Sequence, residues 1–299
     1  MKALSDILVR GSSMDGAIRV FVAVTTDLVN EAQRIHKTYS TATAALGRVL
    51  TVSAIIGAGM KNDTDSTTIQ FKGDGPIGSI VAVCNNKSEV RGYVVNPYVD
   101  IPRKKNGKLD VGAAVGHGFL NVIRDLGMKE PYAGQVPIVT GEIAEDMTYY
   151  FAASEQIPTA IALGVLVNPD NSVKCAGGFM IQLMPEASEE VAAELEEKMK
   201  TLPPVTEMIE NGMSAEDILF KVCEDYDMLM ENKTVTPRYK CQCSRERMEQ
   251  ALISIGKEEL ESLISEQGSA ELTCQFCDNK YTFNKRELEN LLKQAKSKK

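Results

Sequence analysis

Four of the seven cysteines fall in two close pairs near the C-terminal end. Cys241 and Cys243 stand in "KCQCSRE", and Cys274 and Cys277 in "TCQFCDNKYTF". Thiolates one or two residues apart can grip a single ion, and two such pairs complete a tetrahedral set of four sulfur donors. Zn²⁺ favours this set, with Zn–S bonds of about 2.3 Å. The second pair reads like a zinc knuckle: Asp278-Asn279-Lys280 supplies a tight turn, and Tyr281 and Phe283 follow in strand alternation. Thiolate is also the form that oxidants attack. Each pair can close into its own disulfide, Cys241–Cys243 or Cys274–Cys277, and the small CxC ring should be comparatively easy to reduce again. The same four residues therefore fit either a permanent staple or a site that oxidation dismantles.

The other chemistry-bearing residues point elsewhere. Cys84, Cys175 and Cys223 lie in apolar runs without a neighbouring ligand and read as small buried hydrophobes. Of the two histidines, His36 and His117, neither accompanies a nucleophile-elbow sequence, so a hydrolytic triad is not expected and no catalytic residue is assigned. Residues 73–78, "GDGPIG", match GxGxxG, but the strand-like "SIVAVC" follows where a dinucleotide site needs a helix; a tight turn is expected. Met180, Met184, Met199, Met208, Met213, Met228 and Met230 cluster in one region, and such flexible thioethers suit either a core or a promiscuous binding surface.

These residues need elements to hold them. Ile7–Arg10 and Ile18–Thr25 read as a hairpin, residues 27–40 as a helix, and Ala42–Met60, rich in Ala and Gly, as a buried helix. From Thr67 three alternating runs predict an antiparallel meander, with further strands at Phe119–Leu126 and Val136–Val139 and a helix over Ile143–Gln156. The run from Ile161 to Met184 predicts another hairpin, turned at Asn168-Pro169-Asp170-Asn171, with a bulge or close backbone approach at Gly177-Gly178.

Composition shifts at Pro185. Ser188–Lys200 forms a charged helix with Glu194–Lys198 and Glu196–Lys200 at i,i+4 spacing and a thin apolar line of Val191, Leu195 and Met199. Pro203-Pro204 stops it. A short helix around Glu207–Glu210 and one capped by Ser214 follow, and residues 224–238 read as connecting chain. In the last segment Ser244 caps a helix ended by Gly256, Lys257–Gln267 forms a second, and Asn284 caps a third. The fold class is α+β: a large N-terminal domain of antiparallel sheets around a buried helix (1–184), a helical linker (185–239) and a small C-terminal zinc-binding α/β module (240–299). About sixty residues bury too little apolar surface for a secure core, so the metal must supply much of the module's folding free energy.

Charge excludes some partners. The net charge is −8, and residues 240–299 are nearly neutral with 11 Lys/Arg against 10 Asp/Glu. Neither part offers the basic face that nucleic acid requires, so no nucleic acid is expected. No apolar run suits a membrane span and the first residues lack a signal-peptide pattern, so no membrane role and a reducing, cytoplasmic setting are expected.

"CQCSRER" at 241–247, "GKEELESLISEQG" at 256–268 and "CQFCDNKYTF" at 274–283 closely resemble the heat shock protein 33 family of bacterial redox-regulated chaperones. "GDGPIGSIVA", "ASEQIP" at 153–158 and "LVNPDN" at 166–171 carry the likeness through the rest of the chain. The resemblance implies a cytosolic, ATP-independent holdase, inactive when reduced and zinc-bound. Oxidation together with unfolding conditions would form the disulfides between neighbouring cysteines, expel zinc and unfold the linker. The protein would then dimerise, hold unfolding client proteins and hand them to ATP-dependent chaperones. Two alternatives stand beside it: a zinc ribbon in which the ion is purely structural, and a thiol-disulfide oxidoreductase using Cys274 and Cys277. The last would place its CxxC at the start of a helix in a thioredoxin-like unit.

Overall fold

The structure of the chain, a computed structural model, describes residues 5–297 apart from 186 and 233. It divides into two compact units, 1–240 and 241–299.

In the first unit β1 (Ile7–Ser13) and β2 (Ile18–Val24) form the expected hairpin, and α1 (Thr26–His36) leads into α2 (Ser40–Ala58). The meander is β3 (Ser66–Gly73), β4 (Ser79–Asn85) and β5 (Glu89–Val94). After the short α3 (Val111–Val115) come β6 (Gly118–Asp125) and β7 (Tyr132–Pro137), then α4 (Ile143–Tyr150), which runs on as a π-helical turn over Phe151–Glu155. β8 (Thr159–Val167) and β9 (Val173–Leu183) make the second hairpin. The linker residues form α5 (Glu189–Thr201), α6 (Val205–Glu210), α7 (Ala215–Val222), β10 (Met228–Met230) and β11 (Arg238–Tyr239). One sheet has the order β10-β1-β2-β9-β8 and the other β11-β5-β4-β3-β6-β7; every pairing is antiparallel except β11 with β5.

α2 is the centre of this unit because its residues allow neighbours close on every side. All but Ser40 and Arg48 are buried. A side chain at Gly57 would put its Cβ 2.5 Å from the Asn85 carbonyl, so only glycine admits the turn after β4 there. Each fully buried Leu, Ile or Val along the helix contributes roughly 1.5–3 kcal/mol. α2 is long and apolar enough to cross a membrane by length and composition, but 94% of its most apolar window is covered by protein.

β2 divides two cores. Phe21 and Ala23 face the core around α2, while Ile18, Val20, Val22 and Val24 face the opposite side of the same sheet. That second side is covered by linker residues: Leu195, Val205, Met208, Ile218, Leu219 and Val222 are buried against it. The thin apolar line of α5 is thus docked rather than free. Lys198 does not use the i,i+4 partner predicted for it. Its Nζ reaches Glu224 at 2.7 Å and Asp225 at 2.6 Å, and Glu194 accepts instead from the Tyr226 hydroxyl at 3.1 Å.

One further expectation is corrected and two are refined. Residues 224–238 are more than connecting chain, since Met228–Met230 pairs with β1 and Val235 bridges Leu8. Of the two outcomes expected at Gly177-Gly178 the structure shows the close backbone approach, a Cβ on Gly177 lying 2.6 Å from the Ala23 carbonyl, while the register shift of the β8–β9 hairpin falls at Leu166/Val167. The helix predicted over Ile143–Gln156 is present, but from Phe151 to Glu155 its bonding shifts to the i→i+5 pattern of a π-helix, with Gln156 as the cap.

The second unit holds α8 (Arg245–Ser254), α9 (Lys257–Glu266), the hairpin of β12 (Ser269–Thr273) and β13 (Lys280–Asn284), and α10 (Lys285–Ser297). Its core is Leu252, Leu260, Phe283, Leu288 and Leu291. Ser244 caps α8 by accepting from the Arg247 N–H, and Asn284 and Glu287 form a reciprocal cap on α10.

Candidate metal centre

The segment leaving β11 and the turn joining β12 to β13 bring the four cysteines together. Their Sγ atoms all lie within 4.8 Å of one another. Cys241 Sγ is 3.7 Å from Cys274 Sγ, and Cys243 Sγ is 3.4 Å from Cys277 Sγ. These separations are too long for S–S bonds, and all seven cysteines are unbridged. They suit a shared ion: four sulfurs each about 2.3 Å from one centre sit about 3.8 Å apart along a tetrahedron's edges. The donor set is all sulfur, which matches the soft-ligand preference of Zn²⁺ over Mg²⁺ or Ca²⁺.

Local backbone shapes the second pair. The N–H groups of Cys277 and Asp278 donate to the Cys274 carbonyl at 3.3 and 2.8 Å, and the Cys274 N–H donates to the Asn279 carbonyl at 2.9 Å. Asp278 takes the left-handed conformation with φ 58°, which Asp tolerates, and β13 begins two residues on. Cys274 and Cys277 therefore sit in a strand-to-strand turn, not at a helix start, which removes the structural basis of the oxidoreductase alternative. In the first pair the Cys243 N–H points at Cys241 Sγ, 3.4 Å away.

Access and acidity differ within the set. Cys274 is buried, whereas Cys241, Cys243 and Cys277 keep partial exposure. Burial raises the Cys243 thiol, but hydrogen bonds from Tyr281 and the neighbouring cysteines outweigh it and draw the pKa down to about 7. Burial holds Cys241 and Cys277 above the ordinary thiol value. The Tyr281 hydroxyl lies 3.1 Å from Cys243 Sγ. Sequence reading placed Tyr281 in a strand but missed this contact, which alternation alone does not reveal. It also missed Arg245, whose guanidinium stacks 4.4 Å over the Phe283 ring and pairs with Glu287 at 2.7 Å, fastening α8 to β13 and α10.

Residues outside the set fall where expected. Cys84 and Cys223 are buried and burial pushes both up to about 12; Cys175 rises to about 11 for the same reason. His36 bonds the Tyr239 hydroxyl at 3.0 Å and His117 is exposed. Residues 74–78 form the turn between β3 and β4.

The Hsp33 protein family model matches residues 6–284. The chain belongs to the Hsp33 family. Relatives named "33 kDa chaperonin" include those of Geobacillus sp. (strain WCH70), 47% identical over 99% of this chain and 100% of that one, and Clostridioides difficile, 49% identical over 97% and 100%. The crystal structure of the 33 kDa chaperonin (heat shock protein 33 homolog) of Thermotoga maritima superposes with a TM-score of 0.89 at 38% identity, covering 98% of this chain and all of that one. Membership of the Hsp33 family accords with the mixed α+β architecture and with four clustered cysteines compatible with a metal site.

Proposed function

We propose that this chain is a redox-regulated, ATP-independent holdase that binds unfolding client proteins under oxidative stress. The carrying observation is the cluster of four sulfurs within 4.8 Å, three of them reachable from solvent. The name 33 kDa chaperonin borne by its relatives supports the chaperone part of the reading. Cys241, Cys243, Cys274 and Cys277 would hold one Zn²⁺ in the reduced form. When bound, the ion keeps the sulfurs as thiolates and ties the β12–β13 turn to the segment before α8.

Peroxide oxidises each pair by two electrons. In Cys241–Cys243 and in Cys274–Cys277 one S–S bond would form as the peroxide O–O bond breaks, and its two oxygens would leave as two waters after taking up two protons from solvent, since the sulfurs start as thiolates. Sulfurs joined in a disulfide no longer serve as thiolate donors, so oxidation would free the metal and remove the clamp from a unit whose hydrophobic cluster holds only five buried side chains among the described residues.

The chain carries this change into the linker. Cys241 directly follows Tyr239-Lys240, which are fastened to β5. The Tyr239 hydroxyl donates to the Gly92 carbonyl at 2.8 Å, the Lys240 N–H donates to Val90 at 2.8 Å, and Lys240 pairs with Glu89 at 2.5 Å. Loosening here and warming together release residues 185–239, and the apolar side of the first sheet that α5–α7 cover becomes available to clients. The core 1–184 then acts as the holding domain and 240–299 as the switch, with the oxidised protein a homodimer that passes clients to ATP-dependent chaperones in the bacterial cytoplasm. Clients leave chemically unchanged, so the reading assigns no catalytic residue.

The test mixes a thermally unfolding client with reduced or peroxide-treated protein and follows light scattering, with a chelating dye reporting metal in the same sample. Suppressed scattering and one equivalent of zinc released only after oxidation are expected. Zinc retained, or scattering unchanged after full release, contradicts the reading.

A further inference from the structure

Near the end of α2 the two sheets of the first unit part and leave a cavity of about 380 Å³. Its make-up follows from strand register. Arg19 of β2 stands opposite Gln182 of β9 on one sheet, and Thr67 of β3 stands opposite Arg124 of β6 on the other; all four line the space. Ile55 and Ile56 come from the last turns of α2, and Phe21, Phe151, Ile157 and Met180 complete an apolar wall.

The charge of this lining is unusual for the molecule. The chain is acidic at −8, yet the cavity gathers Arg19, Arg124 and Lys61 against a single lining carboxylate, Asp65. The Asp65 oxygens are already occupied by the Asn62 backbone N–H at 3.0 Å and by its Nδ2. Among the described residues no carboxylate pairs with Arg19, whose guanidinium rests over the Phe21 ring at 4.8 Å. Burial works most against its charge, Glu231 favours it, and Arg10 opposes it. Arg124 reaches Glu155 at 3.2 Å through one terminal nitrogen, but its Nε is shut off from solvent with no acceptor. That Glu155 carboxylate also takes the Tyr150 hydroxyl at 2.5 Å. A buried donor left without an acceptor is costly, and an anion seated against Arg124 would supply one.

We propose that this cavity binds a small amphipathic carboxylate, its head between Arg19 and Arg124 and its alkyl chain against Phe21, Phe151 and Met180. Size sets the chain length. At roughly 30 Å³ for each water-sized group, the space admits about a dozen heavy atoms, the size of a ten-carbon fatty acid. A few placed polar groups on an otherwise apolar wall are the ordinary make-up of a small-molecule site.

Titration calorimetry of the full reduced, zinc-loaded chain with decanoate, below its micelle concentration, tests this. Saturable one-to-one binding is expected, with butyrate and decyltrimethylammonium failing to bind. R19Q and R124Q should each weaken decanoate by about tenfold or more, as losing a charge-assisted hydrogen bond implies, and the exposed R34Q should leave it unchanged. R124Q also loses the pair with Glu155, so a melting curve accompanies it; R19Q breaks no ion pair and carries the test if R124Q fails to fold. Folded R19Q that binds like the parent, equal binding of the cationic decyl compound, or only non-saturable uptake overturns the proposal.

Discussion

At the residue scale the seven cysteines separate by surroundings rather than by type. Burial holds Cys84 near 12, a thiol that neither ligates nor reacts readily, whereas Cys241 lies 3.7 Å from Cys274 Sγ. Cys241→Ser should lower zinc stoichiometry and the stability of residues 241–299, while Cys84→Ser leaves metal content at the parent level. Equal zinc in both variants by metal analysis would refute the ligand assignment. A second residue couples stability to pH. Asp6 accepts from the Asp27 and Leu28 N–H groups at 2.9 and 2.8 Å, yet burial outweighs these bonds and raises its pKa to about 6. Its unfolded value is about 3.9. A carboxyl raised on folding contributes stability that is full below the unfolded value and is lost as pH rises through the folded one. The stability of the parent relative to Asp6→Asn should therefore fall by about 2–3 kcal/mol between pH 4 and pH 7. Chemical denaturation at several pH values reads this difference, and a flat or rising difference contradicts it.

At the element scale, what was legible in the sequence had a local cause. The buried α2 follows from its run of small apolar residues, the CxxC turn from Asp278-Asn279, and the caps from Ser214, Ser244 and Asn284, because each signal and its effect lie within one turn of chain. What was not legible depended on distant partners. Met228–Met230 becomes a strand only because β1 offers an open edge, and Lys198 abandons Glu194 because Glu224 and Asp225 are brought to it by the return of the chain after α7. Tyr281 was visible as a strand residue, but its bond to Cys243 arises only where the turn meets the segment before α8. The docking of α5–α7 bears its own prediction. Ile218 is fully buried against the first sheet, and Ile218→Ala should cost about 2–5 kcal/mol. Because the loss falls on the linker, oxidised Ile218→Ala should suppress client scattering at a lower temperature than the parent with zinc content unchanged in the reduced form. An unaltered activation temperature would mean that linker docking does not limit activation.

At the scale of the whole molecule, a large unit with two substantial cores is joined through Tyr239-Lys240 to a small one with few buried side chains. Such unequal units need not lose structure together. The four cysteines lie wholly in the smaller unit, at its first and third residues and beside its hairpin turn, where their clamp would add to a small core. The central claim is that they form a releasable latch on the linker. The most direct measurement is amide hydrogen exchange on the zinc-loaded protein, reduced and then peroxide-treated at elevated temperature. The account predicts protection throughout the reduced form, and after oxidation rapid exchange over residues 185–239 and 240–299 while α2 and the strands packed on it stay protected. Linker amides that remain protected in oxidised protein that suppresses client scattering would contradict it.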